Sequence, residues 1–518
     1  MRLKLLVKAL GVSATALSTS GAIAWYQRGA FMPEYEILDP CDAVYNINNS
    51  VNLQRSIRAL EAMADISPGT VEQCLAGLDR IGWAGLAYHK SPLFYHYQEK
   101  QKASDERETF ASLMKKIELD KNWSKALRWF FSNVCAEDDL ICHDNQEPER
   151  SARSQRKRVH KCLQVLLYLT EFDDCKPMID QNVPHMLHKL FEEYREDEHA
   201  ELVILMFKIL SNLVGYSKES AEMIFDSEWM KTLGEMILRP KMRVEPLLAK
   251  KVLKNGCYQL GAAHYKLPAD IYEFYCSDDE PKLDIVFVHG FRGSVFRTWR
   301  QKDQLGGGKT TQYWPMEWLP GDIQAPVRIL AIDYATKFLR FGKVSDRIQD
   351  RSQTFQQSLS SVGVGDRPIL FICHSMGGLL IKQMLLDNPE FFKKTVGVVF
   401  MATPHRGSPV VAYIHTILRP TEDIRLLRLD SEYNKDLHQK FAEASQDIPL
   451  VTTIIENKLT PIFGTHKTIV PAESAFFGRG TVYHAEEHHH NVCKPANRES
   501  LSYCVILNMI RDALKNFI

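Results

Sequence analysis

The strongest constraint on this chain lies after about residue 268, where strand-length apolar runs rich in β-branched residues alternate with helix-length segments. The runs are Leu283 to Val288, Val327 to Ile332, Pro368 to Ile372, Val396 to Met401 and Leu450 to Ile455. Nearly continuous apolar strands need cover on both faces, which a parallel sheet between two layers of helices supplies. The region 263–518 is therefore expected to be a doubly wound α/β domain with a mostly parallel sheet.

The chemistry sits where these strands end. Arg367-Pro-Ile-Leu-Phe-Ile runs into Cys373-His374-Ser375-Met376-Gly377-Gly378 and then into the helical stretch Leu379 to Leu386. A serine at a sharp strand-to-helix turn is the setting of a nucleophile elbow in an α/β-hydrolase. The turn strains the serine backbone and leaves space only for small residues two before and two after it. Gly377 follows this rule. Cys373 departs from it, but a cysteine is small enough to leave the turn intact. The bland alternative is a structural serine in a turn.

Leu283 to Val288 leads into His289-Gly290-Phe291, where such folds set a backbone N–H, here that of Phe291, to join that of Met376 in an oxyanion hole. His289 itself reads as a packing and turn residue. The strand Val396 to Met401 is followed by Thr403-Pro404-His405-Arg406-Gly407-Ser408, similar to a T-P-H-x-G-S stretch of many lipases. The base must follow the last strand, where His484, His488, His489 and His490 are all available. Two carboxylates qualify as the acid that orients it. Glu456 ends the run Leu450 to Ile455 and is preferred. Glu473 follows Ile469-Val470-Pro471 and comes late, because the slot just before the Thr468-Ile469-Val470 stretch holds Lys467. A metal site in the histidine cluster is set aside, since adjacent histidines on a loop rarely converge on one ion. No cofactor and no metal are expected.

The combination FVHGF, CHSMGG, MATPHRGS and HHHNVCKP resembles the serine-active-site-containing protein family, lipase-like α/β-hydrolases related to enzymes that deacylate glycosylphosphatidylinositol. Its motifs cover about residues 283–495. Matching the family's H-x-x-I-C-K frame to His489-His490-Asn491-Val492-Cys493-Lys494 selects His489 as the base. The resemblance implies an N-terminal hydrophobic segment, a helical armadillo-like middle, and phosphatidylglycerol remodelling at mitochondrial and endoplasmic-reticulum membranes, including their contact sites.

The rest of the chain is less specific. Its 518 residues exceed one ordinary core. Residues 151–262 show helical periodicity and a weak repeat: Leu169 to Leu187 resembles Leu213 to Leu233, with Met178-Ile179 answered by Met223-Ile224. An offset of about 44 residues falls in the armadillo range. Residues 34–150 read as a helical region without assigned chemistry, ending in the polar stretch 142–156. Between Ser408 and Pro449 lies a helix-rich insertion placed where hydrolases often carry a lid.

Lys plus Arg balances Asp plus Glu at 64 each, which removes the broad electrostatic case for nucleic acid. The 11 cysteines include no C-x-x-C pair and read as mostly buried thiols. In residues 1–33, Arg2, Lys4 and Lys8 precede an uncharged stretch from Ala9 to Tyr26, so a targeting or membrane-anchor segment is expected, single-spanning if uncleaved. A serine acyl hydrolase or acyltransferase acting on membrane phospholipid follows, with Ser375, His489 and Glu456 catalytic and a possible protein partner on the helical region. The competing expectation is a silent hydrolase-fold scaffold that recruits membrane partners.

Overall fold

The computed structural model describes residues 175–302, 312–334, 347–411, 425–429, 431–462 and 465–518, with scattered positions from 43 to 171. The segment 1–33, residues 142–155 of the polar stretch and most of the helical region 34–150 lie outside the described residues, as do residues 412–424 of the insertion. Among the described residues, no helix is long and apolar enough to cross a membrane. The chain divides into two compact units, Met1–His264 and Tyr265–Ile518.

In the first unit, helix α1 (Leu53–Ala64) precedes six well-packed helices: α2 (Lys176–Asp180), α3 (Val183–Tyr194), α4 (Ala200–Val214), α5 (Lys218–Phe225), α6 (Trp229–Leu238) and α7 (Glu245–Gln259). The helices α2, α3 and α4 are echoed in length order by α5, α6 and α7. Beside the buried Arg195–Glu245 pair, 50 residues apart, hydrogen bonds cross this unit repeatedly at nearly the same offset. Asn212 reaches Thr170, 42 residues away, and His185 reaches Glu228 at 43. At 44 residues, His188 meets Thr232, Asn255 meets Ser211 and Gln259 meets Gly215. Trp229 donates from Nε1 to the Pro184 carbonyl, 45 residues back. A periodic bond pattern of this kind means that each helix triplet finishes the core of the one before it. Phe207 packs edge-on against both Phe191 and Trp229, at 5.2 and 5.4 Å between ring centroids.

In the second unit the strands are β1 (Ile271–Cys276), β2 (Leu283–Val288), β3 (Val327–Ile332), β4 (Ile369–His374), β5 (Thr395–Met401), β6 (Leu450–Glu456) and β9 (Thr481–Ala485). A separate small ribbon is made by β7 (Thr460–Ile462) and β8 (Thr465–Lys467). The large sheet runs β1-β3-β2-β4-β5-β6-β9, parallel from β3 onward, with β1 antiparallel to β3. This is the α/β-hydrolase layout. Every residue of β2, β3, β4 and β5 is buried, as uninterrupted apolar runs require.

The two faces of β5 show the layering. Val398 and Phe400 join one core with helices α8 (Ile348–Ser361), α9 (Met376–Asp387) and α10 (Glu432–Ala444). Gly397 faces the other way, against Met509 of helix α11 (Leu501–Phe517), where an added Cβ would come within 2.8 Å of the methionine methyl. At the start of β2, Asp284 is fully buried between Arg328 and Arg367. The opposite, C-terminal ends of β2, β4, β5 and β6 carry the candidate site.

Candidate active site

Ser375 occupies the junction between β4 and α9 with φ 52° and ψ −125°, a region that non-glycine residues rarely enter. Neighbouring backbone holds it there, with its N–H donating to the Met401 carbonyl at 2.9 Å. Of the four non-glycine residues with positive φ among those described, Arg292, Ser375 and Ala402 all lie at strand ends around this site. Such clustering of strain marks a position over-determined by its surroundings. The glycine rule also has a steric basis here. A Cβ on Gly377 would lie 2.5 Å from the His289 carbonyl oxygen, and one on Gly290 would lie 2.6 Å from the Ser375 Cβ. Cys373 is completely buried in β4, and its burial pushes the thiol pKa well above the ordinary value.

Ser375 Oγ and His489 Nε2 stand 3.0 Å apart, and His489 Nδ1 lies 2.5 Å from Glu456 Oε2. Their exposures are 6%, 5% and 4%, so the three groups meet almost out of contact with solvent. Glu456 ends β6. Its second oxygen, Oε1, accepts from the backbone N–H groups of Ile469 and Val470 at 2.8 and 3.1 Å. Those bonds fix the carboxylate plane, leaving Oε2 to face the imidazole. With Glu456 on Nδ1, the Nε2 lone pair is turned toward the serine hydroxyl, the arrangement a general base requires.

The other candidates are placed elsewhere. His484 is exposed on β9 and bonds Asn457 at 3.1 Å. His488 and His490 contact each other, His490 donating its backbone N–H to His488 Nδ1 at 3.3 Å. Burial, followed by the charges of His489 and His488, depresses His490 to about 4. Glu473 is exposed, and its backbone carbonyl accepts from Arg406. Met376 opens α9, so its N–H is one of the helix's first amides and lacks an intrahelical partner. Phe291 follows Gly290, the residue pressed against Ser375. His289 is fully buried and stacks on Tyr334 at 4.1 Å. It accepts at Nε2 from the Tyr334 N–H and bonds the Gly290 carbonyl from Nδ1, bracing the loop that carries Phe291.

Two positioning contacts escaped the motif reading. His374 donates from Nε2 to the backbone carbonyl of His489 at 3.0 Å, and Thr460 Oγ1 accepts the His489 N–H at 3.1 Å. Burial, then the charge of His489, holds His374 well below the usual histidine range, so it stays neutral. Only its position next to the serine could have signalled it. Nothing in the sequence around Thr460 did so.

The chain is 31% identical over 383 residues to Protein SERAC1 of Danio rerio, a match covering 68% of this chain and 57% of that protein. The chain is related to the serine-active-site-containing proteins. Protein SERAC1 of Homo sapiens is 29% identical over 379 residues, again covering 68% of this chain and 57% of the relative. The chain thus spans little more than half the length of the curated relatives it matches. No family model matches it. Among solved structures, the lipase BlEst2 of Bacillus licheniformis in its mature form is 17% identical with a TM-score of 0.33, covering 46% of this chain and 97% of that one. Phospholipase PlaB of Legionella pneumophila is 15% identical with a TM-score of 0.30, covering 38% and 46%. Likenesses at this level add nothing to the strand order already described.

Proposed function

We propose that this chain is a serine acyl hydrolase or acyltransferase acting on membrane phospholipid. The observation that carries the reading is the buried chain of contacts from Ser375 Oγ through His489 to Glu456. In this reading His489 Nε2 takes the hydroxyl proton as Ser375 Oγ attacks an ester carbonyl, and Glu456 stabilises the imidazolium. The oxyanion is held by the N–H groups of Met376 and Phe291, an interaction realised only as charge develops. His489 then returns the proton to the departing alcohol, leaving an acyl group on Ser375. Water completes hydrolysis; the hydroxyl of a lysophospholipid completes acyl transfer.

The family resemblance points to phosphatidylglycerol remodelling as the substrate chemistry, and to mitochondrial or endoplasmic-reticulum membranes as the place. The uncharged stretch Ala9 to Tyr26 is long enough to serve as the anchor. The recurring offset of 42 to 45 residues across the helical unit fits an armadillo-like stack, a platform suited to a protein partner. The test is labelling by a fluorophosphonate probe together with lipid profiles of cells carrying wild-type or Ser375→Ala protein. Labelling of the wild type only, with a phospholipid class shifted in the variant, is the expected result. A folded wild type that resists the probe, or a variant that still turns over esters, would end this reading.

A further inference from the structure

Outside the triad, the second unit holds a buried cluster of basic side chains that the acyl chemistry does not use. Lys382 sits on α9 about two turns beyond Ser375 and has no exposed surface. Its Nζ lies 3.4 Å from Nδ1 of His405 and 3.5 Å from Nδ1 of His438. With the lysine donating to both rings, each imidazole would carry its proton on Nε2. The Nε2 of His405 is buried without a hydrogen-bond partner. His405 and His438 line a pocket of about 490 Å³, together with Arg406, Lys435 and Glu473. That volume is within the ordinary range for small-molecule sites. Ser375, His489 and Glu456 are not among its lining residues.

We propose that this pocket binds a phosphate ester, held by Arg406, Lys435 and the imidazole of His438, with the fully buried His405 ring behind them. The charges exclude a metal cation, which would meet Arg406, Lys435 and Lys382 together. A phosphate oxygen cluster matches donors that arrive from two different elements, the loop after β5 and helix α10. Arg406 uses Nη1 on the carbonyls of Glu473 and Phe476, which fixes the guanidinium at the pocket edge. Lys435 reaches Glu432 at 3.1 Å, but that pair is exposed and weak. Glu473 is the lining carboxylate, and it suits a hydroxyl donor on the phosphate or on the group that carries it.

The electrostatics of the pocket agree with such an occupant. Burial, then the charge of Arg406, lowers Lys382 to about 7, and burial, then Lys382 and Arg406, lowers His438 to about 4. His405 is held well below its ordinary value by burial first and then by Lys382, His438 and Arg406. An anion among these groups offsets each of those neighbouring positive charges, so binding draws protons in.

The experiment is calorimetric titration of the full chain with inorganic phosphate, with sn-glycerol 3-phosphate, and with phosphatidylcholine vesicles made with or without phosphatidic acid. Saturable binding is expected, with an enthalpy that changes between buffers of different ionisation heat because protons are taken up. His438→Gln should weaken it about tenfold or more, and Lys435→Gln, at an exposed position that cannot compromise folding, about threefold. Fluorophosphonate labelling of Ser375 should be unchanged in both variants, which separates this site from the acyl chemistry. Tighter binding to vesicles containing phosphatidic acid would assign the occupant to a lipid headgroup; tighter binding to glycerol phosphate would assign it to a soluble ester. Absence of binding in all arms, or binding that both variants retain in full, overturns the proposal.

Discussion

Two buried carboxylates sit at opposite ends of the same sheet and are treated in opposite ways. Asp284, at the start of β2, is gripped by cations: Arg328 makes a two-pronged bond at 2.7 and 2.9 Å, and Arg367 adds 3.0 and 3.2 Å. Glu456, at the end of β6, meets no guanidinium among the described residues. Its partners are two backbone N–H groups and one imidazole. Burial alone would pull the Arg328 guanidinium down, but the bonds and charge of Asp284 reverse this and leave it raised. A carboxylate fully neutralised by arginines has nothing left to offer a histidine. Glu456 is held in position by neutral dipoles, and its charge remains directed at His489. The first arrangement suits stability and the second suits proton chemistry.

The largest expected effect breaks the second arrangement. Glu456→Gln keeps the size and one acceptor oxygen but removes the charge that steadies an imidazolium. The rate of fluorophosphonate labelling should fall on the order of 10⁴-fold with the unfolding midpoint nearly unchanged. A variant labelled at the wild-type rate would show that the carboxylate is as structural as Asp284.

Breaking the first arrangement should do the reverse. Asp284→Asn leaves two guanidiniums at a buried position with no counter-charge, a loss of about 3–5 kcal/mol. Urea unfolding monitored by tryptophan fluorescence measures it, and labelling of the protein that remains folded should stay within about twofold. If stability holds while labelling collapses, the two ends of the sheet are coupled and Asp284 is not purely structural.

The legible part of this molecule was what a local pattern can encode. Continuous apolar runs announced β2 to β6, because strands covered on both faces have no polar side to hide. Cys373 to Gly378 announced the elbow because the steric demands of the turn fall on adjacent residues. Strand β1 was missed. Its Glu273 interrupts the apolar run and accepts from Tyr265, a partner that the linear pattern does not reveal. Strand β9, mostly open to solvent at the sheet edge, has too little burial to leave a signature. The cluster of Lys382, His405 and His438 draws on α9, the loop after β5 and α10, so no spacing rule connects its members. The choice between Glu456 and Glu473 was open for the same reason: only the path of the chain after β6 decides which carboxylate faces the imidazole.

That choice sets the smallest predicted effect. Glu473 comes from the turn after Pro471, with its side chain exposed and its backbone carbonyl engaged by Arg406. His489 Nδ1 already has Glu456 at 2.5 Å, and the single nitrogen has no second hydrogen to share. Glu473→Gln should therefore behave as a surface substitution, changing labelling by no more than about twofold, the equivalent of roughly 0.5 kcal/mol. The comparison is sharpest when both glutamine variants are labelled side by side at matched folded concentration. Loss of labelling in Glu473→Gln with near-normal labelling in Glu456→Gln would require the loop 469–476 to rearrange when the site is occupied. It would also move Glu456 into the class of Asp284, a buried carboxylate whose work is to hold two segments of chain together.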